Sequence, residues 1–345
     1  MKRTLSVLCL LCLALLPLRA EESRHEISAD IVVAKDGSGD FRTVSEAIDA
    51  VPDYEHGKIT TIFIREGVYN EKVTIPNNKY RLHLLGENAL RTVITYGKYA
   101  EGKWPVGGTR IGTSGSATMY IHAYYVTIEN LTIENSAGEG PEIGQAVAVF
   151  TNGDFIFFKG CRLLGNQDTL YTYGSVGRKG NIVRNYYLDC YIEGTTDFIF
   201  GSSVCYFENC EIRSKKDSFV TAASTPEGSR YGYVFHRCRF TADPGVKNCY
   251  LGRPWGAYAK TVILECELGS HILPEGWHDW EKEGKPLTKK NAYYAEYRNF
   301  GPGACASGRV DWSFQLNPYQ AEDYTFGKVM STPLDEHPWD PFDNK

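Results

Sequence analysis

Short apolar segments that recur at near-regular intervals are the dominant pattern in this chain of 345 residues. Five of these segments share an apolar or aromatic residue, a short spacer, a cysteine and a further apolar residue; their cysteines are Cys161, Cys190, Cys210, Cys238 and Cys266. Successive cysteines are 29, 20, 28 and 28 residues apart. Apolar β segments with such a period are typical of a solenoid, in which each coil buries its inward side chains against the next. The pattern predicts an all-β, right-handed parallel β-helix with an inward column of cysteines.

The segment before the coils predicts a cap for one end of the solenoid. Ile31–Lys35 is apolar enough for a first strand, and a glycine turn follows it. Thr43 and Glu46 have the spacing of a capping box, and Pro52 stops further growth of a helix. We therefore expect a short amphipathic helix over residues 43–51 that closes the open end of the solenoid.

The remaining segments predict loops around one continuous solenoid, with no second domain. Residues 97–115 are rich in glycine and indicate a surface loop, and Asn130 is a position at which the cysteine column could begin. Residues 269–292 indicate a long loop instead of a coil. The tail is mildly helical over 317–330 and extended, with several prolines, over 333–342.

The N-terminus has the layout of a cleaved secretory signal. Lys2 and Arg3 precede an apolar run over residues 5–16, and Ala20 stands before two glutamates. The run is too short to span a bilayer. We expect residues 1–20 to be a signal peptide and residues 21–345 to form a single β-helix domain that is exported, either secreted or periplasmic, without a membrane span.

The charge balance excludes one class of partner. The full chain has 37 basic and 42 acidic residues; removal of residues 1–20 takes away three basic residues, which leaves 34 minus 42, or −8. An acidic chain without a basic run argues against nucleic acid binding.

Polar side chains with the coil period indicate catalytic chemistry. Gln145 precedes Gln167 by 22 residues, and Asp168 precedes Asp197 by 29 residues. On successive coils of one sheet, such residues are neighbours at the strand spacing of about 4.8 Å. Two carboxylates at that distance titrate as a coupled pair, and the less solvated one keeps its proton to higher pH. One can then act as an acid while the other acts as a nucleophile.

These residues belong to five ordered motifs that resemble the signature blocks of the pectin methylesterases, or pectinesterases. The resemblance extends from the Asp36-Gly37-Ser38-Gly39 turn to Gly301-Pro302-Gly303-Ala304 and so covers nearly all of the mature chain. The five motifs are Gly67-Val68-Tyr69-Asn70-Glu71, Gln145-Ala146-Val147-Ala148, Gln167-Asp168-Thr169-Leu170-Tyr171, Asp197-Phe198-Ile199-Phe200-Gly201 and Leu251-Gly252-Arg253-Pro254-Trp255.

The resemblance implies a function and a role for each matching residue. The substrate would be methyl-esterified homogalacturonan (pectin), which would be converted to pectate and methanol. Asp197 would be the nucleophile, Asp168 the acid and then the base, and Arg253 the group that keeps Asp197 ionised and oriented. Gln145 and Gln167 would donate hydrogen bonds to the oxyanion. Thr113, Tyr171, Phe200, Trp255 and, again, Gln145 and Arg253 would contact the sugar chain. The resemblance implies no cofactor, no metal ion and a monomer.

The sequence argues against some alternatives and leaves others open. A polygalacturonase would need adjacent aspartates and a Gly-His-Gly motif, and neither occurs; a serine hydrolase would need a Gly-x-Ser-x-Gly elbow, and Gly112-Thr113-Ser114-Gly115 lacks that spacing. A calcium-dependent lyase would need a carboxylate cluster to hold the ion. A carbohydrate-binding β-helix without enzymatic activity would keep the aromatic residues but would not require the two aspartates. The family in places has a disulfide that would here join Cys190 and Cys210, and a column of reduced thiols is the competing interpretation. The segment 173–185 is longer than in the shortest family members, so its effect on substrate preference is open.

Overall fold

Parallel β-strands make up most of the computed structural model, which describes residues 28–174, 183–280, 288–332, 335 and 339–342. The strands, in chain order, are β1 (Ile31–Val33), β2 (Thr60–Ile64), β3 (Gly67–Asn70), β4 (Val73–Ile75), β5 (Leu82–Gly86), β6 (Thr92–Tyr96), β7 (Met119–Ile121), β8 (Val126–Glu129), β9 (Thr132–Asn135), β10 (Val149–Thr151), β11 (Ile156–Lys159), β12 (Arg162–Leu164), β13 (Leu170–Thr172), β14 (Arg184–Leu188), β15 (Tyr191–Gly194), β16 (Ile199–Gly201), β17 (Val204–Glu208), β18 (Glu211–Ser214), β19 (Phe219–Ala223), β20 (Tyr233–His236), β21 (Arg239–Ala242), β22 (Tyr250–Pro254), β23 (Lys260–Leu264), β24 (Glu267–Leu268), β25 (Tyr293–Tyr297) and β26 (Phe314–Gln315).

These strands form three parallel sheets. Sheet A has eleven strands in the order β1-β2-β5-β8-β11-β14-β17-β20-β23-β25-β26. Sheet B has eight strands, from β24 through β21, β18, β15, β12, β9 and β6 to β3, and sheet C has seven, from β22 through β19, β16, β13, β10 and β7 to β4. Each coil contributes one strand to each sheet in turn, as β11, β12 and β13 do before β14 returns to sheet A. The predicted right-handed parallel β-helix is confirmed.

A short helix covers the N-terminal end of the solenoid, as predicted. Helix α1 spans Val44–Ala50, and Thr43 is its N-cap, whose side chain accepts a hydrogen bond from the backbone N–H of Glu46. Val44, Ala47 and Ile48 are buried in the core that the coils share. The carboxylate of Glu71 accepts hydrogen bonds from the N–H groups of Val44 (2.9 Å) and Ser45 (3.0 Å). It thereby satisfies donors that the first turn of a helix leaves unpaired.

A two-residue corner joins sheet A to sheet B in five consecutive coils. Its first residue has a positive φ of 53–60°, and its second is one of the five buried cysteines of the repeat; the first residues are Gly160, Asp189, Asn209, Arg237 and Glu265. Asn130 has the same backbone conformation and precedes buried Leu131, which pairs in register with Cys161. The column therefore begins at Leu131, and the prediction of Asn130 was wrong by one position. All eight cysteines of the described residues are free thiols, so the column is reduced and no bond joins Cys190 to Cys210.

Aromatic rings stack along the inside of sheet A. Neighbouring rings of Phe158, Tyr187, Phe207 and Phe235 have centroids 5.0, 4.6 and 4.4 Å apart and are tilted by 10°, 11° and 7°. Each such pair contributes about 0.5–1.5 kcal/mol beyond the burial of its surface. The stack fixes the register of the coils that hold the polar residues.

The tail packs on the outer face of sheet A, where Val329 and Met330 are buried with Tyr186 and Val234. In the tail, helices α2 (Pro318–Ala321) and α3 (Phe326–Val329) flank the 3₁₀ turn Glu322–Tyr324, which confirms the predicted helical character. Further 3₁₀ turns are Thr113–Gly115, Thr288–Asn291 and Ala306–Gly308. No strand lies within the described part of 269–292, as predicted, although Trp277 in that segment is fully buried.

Two sequence predictions lie wholly or mostly outside the described residues. These are the signal peptide, residues 1–20, and the long segment 173–185. None of the described helices has the length and apolar character that crossing a membrane requires.

Candidate active site

Asp168 and Asp197 occupy equivalent positions on adjacent coils of sheet C. Each lies two residues before its strand, and those strands pair with Leu170 opposite Ile199. Both aspartates have positive φ angles, 66° and 50°, a conformation that asparagine and aspartate tolerate better than most residues. The side chains are largely buried, with 8% and 6% of each residue exposed. The strand spacing therefore brings the two carboxylates together at the surface of one sheet.

Arg253 holds Asp197 through a two-pronged ion pair. Its Nε lies 3.0 Å from one carboxylate oxygen of Asp197, and its terminal nitrogen lies 2.7 Å from the other. The guanidinium is itself held between two aromatic rings, because its carbon is 3.9 Å from the ring centroids of both Phe219 and Trp280. Bidentate contact and stacking together fix the plane of the guanidinium and, through it, the orientation of the carboxylate.

Burial and charge give the two carboxylates different protonation states. Desolvation raises the pKa of Asp168 well above its usual range, and the charge of Asp197 raises it further, against a smaller opposing effect of Arg253. Asp197 has the guanidinium as a direct partner. The arrangement therefore places a carboxyl whose pKa is raised by burial beside a carboxylate that is paired with a guanidinium, and general acid and nucleophilic catalysis require such a difference between two carboxyl groups.

The raised pKa of Asp168 predicts a pH-dependent stability difference. The folded protein holds this proton more tightly than the unfolded chain does, whose aspartate pKa is about 3.9. The resulting stabilisation is fully present below that pH and is lost as the pH rises through the folded pKa. The amide of Asp168→Asn does not titrate. The melting temperature of this variant minus that of the native protein should therefore be larger at pH 8 than at pH 4. Thermal unfolding at both pH values measures this, with the exposed Asp311→Asn as the control. An equal difference at both pH values would contradict the burial of an uncharged Asp168.

Of the two predicted glutamines, Gln167 directly precedes Asp168 on the same coil, and Gln145 lies on the coil before it. The backbone N–H of Ala146, next to Gln145, donates to the carbonyl of Gln167 at 3.1 Å. The side-chain oxygen of Gln145 is buried and has no hydrogen-bond partner among the described residues. Buried polar atoms normally have a partner, so this unpaired acceptor oxygen is a position at which a donor of a bound ligand or water could be accommodated.

An aromatic surface extends from the aspartates across sheet C. The rings of Tyr171 and Phe200 stack at 4.2 Å, and Phe150 meets Tyr171 edge-on at 5.0 Å. Trp255 is 44% exposed and lies edge-on to both stacked rings, at 6.5 and 5.9 Å. The strand register aligns one outward-facing residue from each of six strands: Tyr120, Phe150, Tyr171, Phe200, Ala222 and Arg253. We refer to this row and its flanking residues as the cleft.

Apart from Gln145, five residues were predicted to contact the sugar chain. Four of them meet in the cleft: Tyr171, Phe200, Arg253 and Trp255. Thr113 lies in the turn Thr113–Gly115, where its carbonyl accepts a hydrogen bond from the hydroxyl of Ser116 at 2.7 Å. The neighbouring Ser114 is the residue that contacts the cleft: its carbonyl accepts from the phenol of Tyr120 at 3.1 Å. Its side chain also hydrogen-bonds Tyr171.

Besides Ser114, the sequence analysis did not identify four further residues that the structure places at the site. Tyr120 and Phe150 belong to the same row as Tyr171, and the coil period could have found them. Phe219 and Trp280 hold the guanidinium of Arg253. Phe219 lies opposite Asp197 on the next coil, so the coil period could have found it, whereas Trp280 lies outside the coils and has no such signal.

The described residues contain no group of three or more histidine, cysteine, aspartate or glutamate side chains that could hold a metal ion. The expectation of a site without cofactor or metal stays a prediction.

Comparison with known proteins identifies relatives of this chain. The Pectinesterase family profile matches residues 30–332. Pectinesterase 31 of Arabidopsis thaliana is 37% identical over 311 residues, which are 89% of this chain and 93% of the relative. Probable pectinesterase/pectinesterase inhibitor 23 of the same plant is 36% identical over 319 residues, and the match covers 88% of this chain but 52% of that longer protein.

Solved structures agree with the sequence relatives. Pectin methylesterase from carrot is 32% identical with a TM-score of 0.78, and the match covers 88% of this chain and 93% of that one. Pectin methylesterase PemA from Erwinia chrysanthemi is 30% identical with a TM-score of 0.76, covering 91% and 98%. A mutant pectin methylesterase in complex with a hexasaccharide is 29% identical with a TM-score of 0.77 and the same coverage.

Proposed function

Because this chain belongs to the pectinesterase family, we propose that it hydrolyses the methyl esters of galacturonate units in pectin, releasing methanol and leaving pectate. The observation that supports this most directly is the pair formed by Asp168 and Asp197, in which one carboxyl is buried and protonated and the other is held by Arg253. The solved relative in complex with a hexasaccharide supports an oligosaccharide as the ligand class.

In the first half of the proposed reaction, a carboxylate oxygen of Asp197 attacks the ester carbonyl carbon. The negative charge that develops on the carbonyl oxygen receives hydrogen bonds from the side-chain amides of Gln145 and Gln167, which do not titrate and so remain donors at all relevant pH values. Asp168 gives its proton to the methoxy oxygen. The bond from that oxygen to the carbonyl carbon breaks, methanol leaves, and the substrate acyl group stays on Asp197 as an anhydride.

In the second half, water resolves the anhydride. Asp168, now a carboxylate, takes one proton from the water while the water oxygen attacks the substrate carbonyl carbon. The bond to Asp197 breaks, which regenerates the Asp197 carboxylate beside Arg253 and the protonated Asp168. The product is a free galacturonate carboxyl group, so the sum of both halves is ester plus water giving acid plus methanol.

The shape of the cleft supports a linear polymer as the substrate. The outward-facing row crosses six strands of sheet C, so a bound chain would lie across the strands and contact several coils at once. Stacked Tyr171 and Phe200 would form the floor below the reacting unit, and Trp255 would contact the sugar from the side. We propose that the enzyme works as a monomer outside the cytoplasm, after removal of residues 1–20.

Methanol release from highly methylated pectin tests the proposed function. We expect methanol from this substrate, none from polygalacturonate, and equal rates before and after exhaustive chelation, since the proposed steps use only protein side chains. A purely carbohydrate-binding protein would bind both polymers and release no methanol. Unsaturated products without methanol, abolished by chelation and restored by calcium, would instead indicate a calcium-dependent lyase.

A further inference from the structure

Two lysines stand at the end of the cleft opposite to Arg253. Lys72 directly precedes β4, the last strand of sheet C on that side, and its ammonium nitrogen lies 5.3 Å from the ring centroid of Tyr120. Lys98 lies in the loop after β6, and its ammonium nitrogen is 4.1 Å from the ring centroid of Trp104. We call Lys72 and Lys98 the lysine pair.

A set of contacts leads from the lysine pair to Tyr171, on the coil that holds Asp168. Trp104 packs on Gly115, where a β-carbon would lie 3.1 Å from the indole ring. The adjacent Ser114 contacts the phenol of Tyr120 with its carbonyl and Tyr171 with its side chain. Tyr171 lies three residues after Asp168 on the same coil. The lysine pair is therefore part of the cleft wall, and Lys72, at β4, is three strands away from β13 and the row position of Tyr171.

The lysine pair lacks an anionic partner. Neither ammonium group forms an ion pair with a carboxylate of the described residues, and the acidic neighbours in sequence are already engaged. Glu71 caps helix α1, and Glu101 pairs with Arg110. Lys98 is half-buried, and both this desolvation and the nearby charge of Lys72 lower its pKa. Two ammonium groups that repel each other beside aromatic rings form a site for an anion.

We propose that Lys72 and Lys98 form a subsite for the free carboxylate of an already de-esterified galacturonate unit, located on the β4 side of the unit whose ester is hydrolysed. The proposal rests on the proposed function and refines its substrate class. A carboxylate satisfies both ammonium groups by charge-assisted hydrogen bonds, whereas a methyl ester at the same place is neutral and accepts only weakly. The enzyme therefore distinguishes partly de-esterified pectin from fully esterified pectin at this subsite.

Inhibition by a de-esterified oligogalacturonate tests the subsite. Methanol release from a fully methylated oligogalacturonate is measured at increasing inhibitor concentration, for the native enzyme and for the double variant Lys72→Met, Lys98→Met. We expect the inhibition constant of the double variant to rise about tenfold at low salt, a larger change than that in kcat/KM for the neutral, fully methylated substrate. At about 1 M salt the difference should largely disappear, because screening then acts over about 3 Å.

A matched variant separates this effect from a change in net charge. Lys247→Met removes an exposed lysine on the segment between β21 and β22 and should leave the inhibition constant unchanged. An unchanged inhibition constant in the double variant would overturn the proposal. So would a loss of kcat/KM for the neutral substrate equal to the loss of affinity for the anionic inhibitor. Calorimetric titration of the oligogalacturonate into native and variant protein separates failure of the subsite from failure of the proposed function. This binding measurement does not require methanol release.

Discussion

Asp197→Asn is expected to lower kcat for methanol release by about 10⁴-fold or more. Its amide has neither the charge nor the basicity of a carboxylate nucleophile, and loss of a nucleophile leaves only the background catalysis of binding and oxyanion stabilisation. Asp168→Asn should cost about 10²–10⁴-fold, the usual range for a proton-transfer group. Initial rates on highly methylated pectin measure both effects.

Two controls accompany this first prediction. Asp243→Asn changes a partly exposed aspartate paired with Arg213 at the end of β21 and should keep native turnover. Melting temperatures show whether each variant is folded. A folded Asp197→Asn protein with near-native activity would reject the assignment of the nucleophile.

Arg253→Ala is expected to lower turnover by about 10²–10³-fold and to move both limbs of the pH–rate profile. Without the guanidinium, Asp197 loses the cation that stabilises its ionised form, so the acidic limb should move to higher pH. Asp168 loses the one nearby charge that lowers its pKa, so the basic limb should also move to higher pH. Arg253→Lys keeps the charge but loses the bidentate contact and the stacking between Phe219 and Trp280. It should reduce turnover while displacing the limbs less than Arg253→Ala does.

The same three proteins distinguish this electrostatic role from a purely structural one. If Arg253 served only to join segments, its variants would lose thermal stability, while the folded fraction would keep native turnover and pH dependence. Melting temperatures and pH–rate profiles, measured on the native enzyme, Arg253→Ala and Arg253→Lys, give both quantities. Unchanged profiles in Arg253→Ala would contradict the proposed role.

The repeating part of the fold was predictable because its physical cause is local. The cysteine positions recur once per coil, and each is the second residue of the same two-residue corner, so its period gives the winding directly. The start of the column was misplaced at Asn130, since a side chain alone does not reveal which corner residue has positive φ. The following Leu131 is apolar and buried as the cysteines are.

The candidate site was predictable only where its residues lie on regular coils. Asp168 and Asp197 lie close together because they occupy equivalent positions before two paired strands, and their spacing in the sequence indicates that register. Trp280 reaches Arg253 from a segment without regular structure, and Ser114 reaches Tyr171 from a turn in a glycine-rich loop. Such contacts depend on how loops pack on the solenoid, and neither periodicity nor composition encodes that packing.

The constant corner between sheets A and B also has a consequence for how this fold can diversify. Coils differ in length, with 20 residues between Cys190 and Cys210 and 28 between Cys210 and Cys238, yet this corner keeps two residues in both. Every added residue therefore lies in or beside sheet C: for example, two residues separate β16 from β17, but nine separate β19 from β20. Insertions can thus reshape the rim of the cleft without moving the core out of register. Exchange of rim loops between relatives is accordingly a route to new substrate preferences that leaves the catalytic geometry in place.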